Sequence, residues 1–264
     1  MQINVDTQKR KKFLISSLVA IAFSFVLTNL FDKDIASIFS NYVNIGTNLF
    51  LSVLSILMLV KNRFLGIHGK AWLLLSIATI CWLVAEIIWM VYEVDFDVMP
   101  FPSEADFFWF LGYPLFFTFL LLYIRPLKNA VSKKMIMGSS IISVAVLALS
   151  VSLLHEPNMV ADFETIIAFS YPIADSILLV PCLIGIFLFF SGKVNIMWTF
   201  FCIGMCSFVV ADTTYAYLIL DDAFYSGDIS MILYVYGYIF LTFGVYGHYK
   251  IFNLKISKHV KEKH

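Results

Sequence analysis

Eight long apolar segments constrain the fold of this chain more than any other feature of its sequence. They lie at residues 13–31, 41–60, 71–92, 105–124, 135–154, 166–190, 196–219 and 229–249. A helix needs about 20 residues to cross a hydrocarbon core about 30 Å thick, and each segment meets that length. Because the segments are continuously apolar and lipid cannot satisfy an open backbone, they are predicted to be helices. The sequence therefore predicts an all-α, polytopic integral membrane protein with eight transmembrane helices.

Composition narrows the partners of such a chain. Only 14% of its 264 residues are charged, whereas soluble domains have about 25%. The connections between the apolar segments are too short to form a separate soluble domain, and they show no basic groove pattern. We therefore expect membrane lipid around the chain and no nucleic-acid partner.

The positions of the basic residues predict the orientation of the chain. All eighteen Lys and Arg residues except Lys33 lie in the two tails or in every second connection. Cytoplasmic connections collect such residues because translocating them is unfavourable. With an even number of spans, this bias places both termini in the cytoplasm. No eukaryotic-looking targeting signal is visible in the sequence, which favours a multi-pass protein of a prokaryotic plasma membrane. The outer connections are then 32–40, 93–104, 155–165 and 220–228.

An internal repeat divides the predicted helices into two tandem halves. A shift of 125 to 128 residues aligns the second to fourth spans with the sixth to eighth, and it pairs Trp72 with Trp198, Glu86 with Asp212, Gly112-Tyr113 with Gly237-Tyr238, and Thr47 with Asp175. Four spans make one unit, so the two halves have the same orientation. The predicted organisation is a basic tail (1–12), a first four-helix half (13–124), a cytoplasmic connection (125–134), a second four-helix half (135–249) and a basic tail (250–264).

Acidic residues inside the predicted helices are the strongest indication of a functional site. Glu86, Asp175 and Asp212 lie at similar heights in the outer leaflet, and Asp106 begins the fourth span near the outer interface. No Lys or Arg lies deep within a span, and an ionisable group at that depth usually faces a cavity or a partner. Two interpretations stay open. The acids are neutral and bonded between helices, or they line a water-filled outer pocket for a cation or for a basic or polyhydroxy ligand.

Aromatic side chains on the same helix faces extend this set of acids. Trp89 shares a face with Glu86, and Tyr215 shares one with Asp212. The predicted ligand-binding residues are Glu86, Trp89, Asp106, Asp175, Asp212 and Tyr215. No metal site and no cofactor are predicted, because the sequence lacks the zinc, nucleophile-elbow and phosphate-loop motifs.

Several short motifs resemble those of a known group of membrane modules. The segments are PFPSEADFFWFLGYPLFF (100–117), YPIADSILLVP (171–181) and VADTTYAYL (210–218). Together they resemble the multi-helix modules that precede diguanylate cyclase or histidine kinase domains in prokaryotic signalling proteins. This resemblance implies sensing of a ligand or of the membrane state. Because the sequence contains no output domain, it also implies a cytoplasmic signalling partner.

A weaker similarity is to lysoplasmalogenases, which are also eight-span proteins. The segments VAEIIW (84–89) and VADTTY (210–215) carry acids at the two corresponding positions. The similarity implies hydrolysis of vinyl-ether lipids, with Glu86 and Asp212 acting as proton donor and base.

Three functions follow from these observations. We favour a non-enzymatic sensor or receptor-like protein that takes part in signal transduction. The alternatives are an intramembrane lipid hydrolase that uses an acid pair and a small ion-coupled transporter.

Overall fold

A computed structural model of the protein describes residues 2–62, 64–154, 162–189 and 195–261. Within these ranges the chain forms eight α-helices and no β-strand: α1 (Gln2–Phe31), α2 (Lys33–Lys61), α3 (Gly66–Met90), α4 (Glu104–Ile124), α5 (Lys133–Leu154), α6 (Phe163–Phe189), α7 (Asn195–Leu220) and α8 (Ile232–Lys261). All eight contain segments long and apolar enough to cross a membrane. This confirms the all-α, multi-pass prediction. Residues 155–161 of the predicted connection 155–165, and the ends of both predicted tails, lie outside the described residues.

The second helix begins earlier than hydropathy predicts, so the predicted outer loop over 32–40 is wrong. Asp32 alone separates α1 from α2, and its side chain accepts hydrogen bonds from the backbone N–H groups of Asp34 and Ile35. This cap allows the helix to start at Lys33. The first turns of α2 contain polar residues, which lowered the hydropathy there. Several of them, including Ser40 and Asn41, are buried inside the protein instead of facing water.

Side-chain caps also fix the starts of two further helices. Ser103 and Asp106 form a capping box at the start of α4. Asp162 accepts a hydrogen bond from the backbone N–H of Thr165 at 2.8 Å. This bond lowers the pKa of the Asp162 carboxyl, because it stabilises the charged form.

The helices pack in a pattern that occurs twice. Helix α3 lies against α2 and α4, and α7 lies in the same way against α6 and α8. Helix α2 also contacts α8, and α6 contacts α4, so these six helices enclose the interior. Helices α1 and α5 pack on the outside, mainly against α2 and α6. Any site formed by acids on α3, α6 and α7 therefore lies inside a closed ring of helices.

Large aromatic side chains fill the interior at two close helix contacts. A Cβ atom on Gly112 would lie 2.1 Å from Trp82 Nε1, so only glycine allows α4 to approach α3 this closely. The Trp82 indole donates to the carbonyl of Trp109 at 3.1 Å. In the second contact, a Cβ on Gly237 would lie 2.7 Å from the Phe208 ring, where α8 approaches α7. These contacts hold α4 close to α3, which carries Glu86, and α8 close to α7, which carries Asp212.

The connections divide into two groups at opposite ends of the helices. One end of the helices carries Asp32 and the connections 91–103 and 221–228, and we call it the acidic end. The other end carries the connections between α2 and α3 and between α4 and α5, and we call it the basic end. At the acidic end, α3 continues into a π-helical turn over Val91–Asp95. There the connection 221–228 is fixed to α1, because Tyr225 donates to Asn29 Oδ1 at 2.5 Å and Asn29 Nδ2 donates to the Gly227 carbonyl at 2.8 Å.

Candidate functional site

A cavity of about 90 Å³ lies between the helices toward the acidic end. Such a volume has room for several water molecules or one compact organic molecule, since a water needs about 10–15 Å³ by this measure. Five of the six predicted ligand-binding residues line it: Glu86, Trp89, Asp175, Asp212 and Tyr215. The described lining includes three acids and many aromatic residues but no Lys or Arg.

Two of the acids, Asp175 on α6 and Asp212 on α7, lie close enough for their carboxyl groups to interact. The Tyr113 hydroxyl lies 3.0 Å from Asp175 Oδ1 and 3.1 Å from Asp212 Oδ2. A phenol has a single proton to donate. Both contacts are therefore hydrogen bonds only when one carboxyl carries a proton and donates it to the phenol oxygen. Tyr234 donates to the other oxygen of Asp212 at 2.5 Å.

The third acid, Glu86 on α3, has one phenol donor instead of two. Tyr238 on α8 donates to Glu86 Oε1 at 2.6 Å. The indole of Trp109 on α4 lies beside the same carboxyl. Glu86 is about as buried as Asp212, with 9% and 5% of their surfaces exposed. The two acids thus have similar depth and similar aromatic surroundings.

The tyrosine–acid bonds connect helices that are far apart in the sequence. Tyr113 on α4 donates toward Asp212 on α7, while Tyr238 on α8 donates to Glu86 on α3. Each of α4 and α8 carries two aromatic residues four positions apart, Trp109 and Tyr113 on one and Tyr234 and Tyr238 on the other. Residues at this spacing share a helix face. On α4, Trp109 lies beside Glu86 on the adjacent helix α3, and Tyr113 reaches Asp212 on α7. On α8, Tyr234 bonds to Asp212 on the adjacent helix α7, and Tyr238 reaches Glu86 on α3.

The wall nearest the acidic end is aromatic. The Trp89 ring contacts Trp109, Tyr215 and Phe224, with ring centroids 5.5, 6.0 and 5.9 Å apart. Trp89 Nε1 lies 3.0 Å from both Ser226 Oγ and Glu93 Oε2. These contacts attach the connection 221–228 and the π-helical turn to the wall of the cavity.

Three buried polar atoms at the cavity have no hydrogen-bond partner among the described residues. They are Asp175 Oδ2, Asn44 Oδ1 and the Tyr215 hydroxyl. Their side chains are 0%, 8% and 6% exposed. Leaving such atoms unpaired costs about 1–3 kcal/mol each, so buried polar groups in native proteins are almost always bonded to protein, water or ligand. The cavity therefore favours a polar occupant.

The structure places Asp106 outside the cavity lining. Its Oδ2 accepts from the backbone N–H of Ser103 at 2.7 Å, and the Tyr171 hydroxyl donates to its Oδ1. Both carboxyl oxygens are thus used to start α4 and to connect it to α6. The sequence placed Asp106 at the correct end of α4, but it did not indicate that a capping box would occupy the carboxyl.

Sequence reasoning missed the direct partners of the acids. Tyr113, Tyr234 and Tyr238 were not among the predicted site residues, although the repeated Gly-Tyr pair and the four-residue aromatic spacing were visible signals. Asn41 and Asn44 were missed because the predicted loop ended at residue 40 and the α2 segment was treated as a plain span. Asn41 Nδ2 donates to Glu93 Oε2 at 2.8 Å and so closes the α2 side of the site.

These observations define a class of protein, a multi-pass helical membrane protein with a buried acidic–aromatic cavity. In the part of the chain that the structure describes, no group of three or more His, Cys, Asp or Glu side chains is arranged to hold a metal ion. No protein-family model, no curated protein and no solved structure matches this chain.

Proposed function

We propose that the protein is a receptor-like membrane sensor that binds a small polar ligand in the acidic–aromatic cavity. One observation carries this proposal: Glu86, Asp175 and Asp212 converge on a single cavity whose described lining contains no basic residue. Three acids held together in a low-dielectric interior repel one another unless protons or a positively charged ligand are present. Unpaired polar atoms at the same cavity support an occupant that is not part of the chain.

The basic residues orient the protein in the membrane. The basic end carries the Lys- and Arg-rich connections, so we assign it to the cytoplasm together with both termini. The cavity then lies in the outer leaflet of the plasma membrane. A ligand from outside would reach it past the connections 91–103 and 221–228.

The proposal also includes two tandem four-helix halves, 13–124 and 135–249. The helix contacts support this organisation, since α2, α3 and α4 pack as α6, α7 and α8 do. Tyr113 and Tyr238, which we call the crossed tyrosines because each bonds to an acid of the other half, support it further. The repeat pairs Tyr113 with Tyr238 and Asp212 with Glu86, so the Tyr113–Asp212 contact of one half corresponds to the Tyr238–Glu86 contact of the other. A ligand at the acids thus contacts both halves at once.

Signalling would follow from a change in how the two halves meet. A ligand that binds the acids competes with the tyrosine hydroxyls that join α4 to α7 and α8 to α3. A ligand shifts a conformational equilibrium only by its differential affinity for the two states. The movement would be transmitted along α4 and α8 to the basic end, where a cytoplasmic signalling partner would detect it.

Lipid hydrolysis is the second candidate, and the interaction between Asp175 and Asp212 favours it. Two carboxyls that share one proton can act as acid and base. The sequence suggested Glu86 and Asp212 for these roles, whereas the interaction points to Asp175 and Asp212. An ion-coupled carrier would use the same acids and the same two halves.

Native mass spectrometry of the detergent-purified protein tests ligand binding. We expect a retained small molecule in the wild type and in Glu164→Gln, a charge-neutralising variant at an exposed position of α6. The molecule should be lost in Asp212→Asn. Binding should also change protease cleavage of the connection 125–134. Unchanged cleavage across a broad ligand panel, with no retained mass, would contradict the sensor.

Two further assays separate the alternatives. A hydrolase would turn over a vinyl-ether lysophospholipid in detergent and lose that activity in Asp212→Asn or Glu86→Gln. A carrier would move solute into liposomes. Either result would replace the sensor proposal.

A further inference from the structure

Most hydrogen-bond donors of the cavity wall are already used. Tyr234 and Tyr238 each donate to a carboxyl oxygen, and the Tyr113 proton lies between Asp175 and Asp212. The Trp82 indole donates to a backbone carbonyl, and the Trp89 indole donates to Ser226 and Glu93. An occupant that needs donors from the wall, such as an anion, would find few of them.

The atoms left without a partner are chiefly acceptors. Asp175 Oδ2 and Asn44 Oδ1 can only accept a hydrogen bond while the carboxyl is ionised, and the Tyr215 hydroxyl can donate or accept. An occupant that satisfies all three must donate at least two hydrogen bonds and carry no negative charge. Water meets this requirement, and so does a cationic N–H donor.

The charge and the shape of the cavity favour the cation. The occupant faces two interacting carboxyls, a third carboxyl nearby and the rings of Trp89, Trp109 and Tyr215. Aromatic faces attract organic ammonium groups when these are removed from water. Within the described ranges, no group of three or more His, Cys, Asp or Glu side chains is arranged to hold a metal ion.

We infer that the cavity binds a small primary ammonium, with its N–H groups directed at Asp175 and Tyr215 on the adjacent helices α6 and α7 and its short carbon chain against the aromatic wall. The cavity volume of about 90 Å³ limits the ligand to a compact amine. This inference rests on the proposed function, because it names the ligand class of the same site.

Tryptophan fluorescence offers a direct readout, since three of the five tryptophans, Trp82, Trp89 and Trp109, line the cavity. The wild-type protein in detergent is titrated at neutral pH and constant ionic strength with propylammonium chloride, tetramethylammonium chloride and glycerol. We expect a saturable change with propylammonium. Tetramethylammonium lacks N–H groups and should bind about tenfold more weakly, as expected for lost hydrogen bonds to charged acceptors. Glycerol should produce no saturable change.

Two variants test the assigned contacts with little change in side-chain shape. Asp175→Asn should weaken propylammonium binding by about a hundredfold, and Tyr215→Phe by about tenfold, because they remove a charged and a neutral contact. Glu164→Gln on the same helix as Asp175 should bind as the wild type does. A normal thermal melt for each variant shows that it is folded.

The possible results separate the inference from the proposed function. Saturable glycerol binding that is insensitive to Asp175→Asn, without propylammonium binding, would overturn the inference and leave a ligand-binding cavity. Equal affinity for propylammonium and tetramethylammonium would overturn the assigned N–H contacts. If no probe binds, the ammonium inference is wrong, and the native mass spectrum decides separately whether the cavity holds another ligand.

Discussion

The two halves of the molecule present the same helix contacts to the cavity but different charges. On one side Glu86 has a single phenol donor, Tyr238, and the neighbouring helix α2 contributes no acid to the described lining of the cavity. On the other side Asp212 has two phenol donors and interacts with Asp175 on α6. The α2 position that aligns with Asp175 is Thr47, whose hydroxyl bonds to its own helix at Val43.

This difference teaches that a repeated scaffold need not give a symmetric site. The shared part is the geometry, which comprises two acids, two aromatic pairs and two close glycine contacts. The part that differs is one carboxyl, and it concentrates negative charge on the side of α6 and α7. A ligand with one positive group therefore has a preferred direction in the cavity.

The largest expected effect comes from the two glycine contacts. In Gly112→Ala the new methyl meets the Trp82 indole, which a hydrogen bond to Trp109 holds in place, whereas in Gly237→Ala it meets a Phe208 ring, which has no hydrogen bond to hold it. Overpacking a tight core usually costs about 1–3 kcal/mol, so we expect about 3 kcal/mol for Gly112→Ala and about 1 kcal/mol for Gly237→Ala. Thermal unfolding in detergent measures the difference.

Gly138→Ala on α5 is the matched control for the glycine variants. A Cβ there meets nothing within 4 Å, and alanine is the better helix former by about 1 kcal/mol. The control should therefore melt at the wild-type temperature or slightly above it. Equal destabilisation by Gly112→Ala and Gly237→Ala would show that the two contacts are equally rigid and would contradict this part of the comparison.

A smaller effect should separate the two crossed tyrosines. Tyr113→Phe removes the only hydroxyl among the described residues that bonds to both Asp175 and Asp212, whereas Tyr238→Phe removes one donor from Glu86. A hydrogen bond to a charged group contributes about 1.5–3 kcal/mol, so we expect about 3 kcal/mol for Tyr113→Phe and about 1.5 kcal/mol for Tyr238→Phe. Chemical or thermal unfolding checks the order, and the exposed Tyr246→Phe on α8 should have no measurable effect. The reverse order would mean that Asp175 and Asp212 do not depend on Tyr113.

The sequence predicted the fold better than it predicted the chemistry around the acids. Hydropathy and length identify eight helices because lipid permits few alternatives for an apolar chain. The same method placed a loop over 32–40, because a hydropathy average cannot distinguish polar residues that face water from polar residues that face an internal cavity. Asn44 lies in the predicted span 41–60, and it was missed because that segment was treated as a plain apolar span.

The acids themselves were visible because charge at membrane depth is unusual, but their partners were not. Tyrosine is common near membrane interfaces, so the repeated Gly-Tyr pairs at Tyr113 and Tyr238 did not identify these residues as partners of the acids until the structure showed which helices meet. Asp106 shows the opposite error. It has the same side chain as the other acids, but local capping geometry occupies it, and that geometry depends on Ser103 and not on depth in the membrane.

The connections 91–103 and 221–228 occupy matching places in the two halves. The smallest expected change in stability is in how firmly these two connections are held. Ser103 caps the start of α4, and Asp228 accepts from the Ser230 backbone N–H just before α8. Only the connection 221–228 is also fixed to α1, through the Tyr225–Asn29 bond. Tyr225→Phe should remove about 1 kcal/mol of local stability and speed amide hydrogen exchange in 221–228, with no change in 91–103.

The same bond gives a dependence on pH. Burial, and then the nearby Asp228 carboxylate, raise the pKa of the Tyr225 phenol, and the ordinary value is about 10. A raised pKa in the folded state means that the stabilisation is fully present below pH about 10 and is lost as the pH rises through the folded value. In the wild type, protection of 221–228 corrected for intrinsic exchange should therefore persist at neutral pH and decrease only in alkaline solution. Tyr225→Phe should show reduced amide protection of 221–228 both at neutral pH and in alkaline solution. Equal protection of the wild type and the variant at neutral pH would mean that the connection is held by its contacts with Trp89 and not by Tyr225.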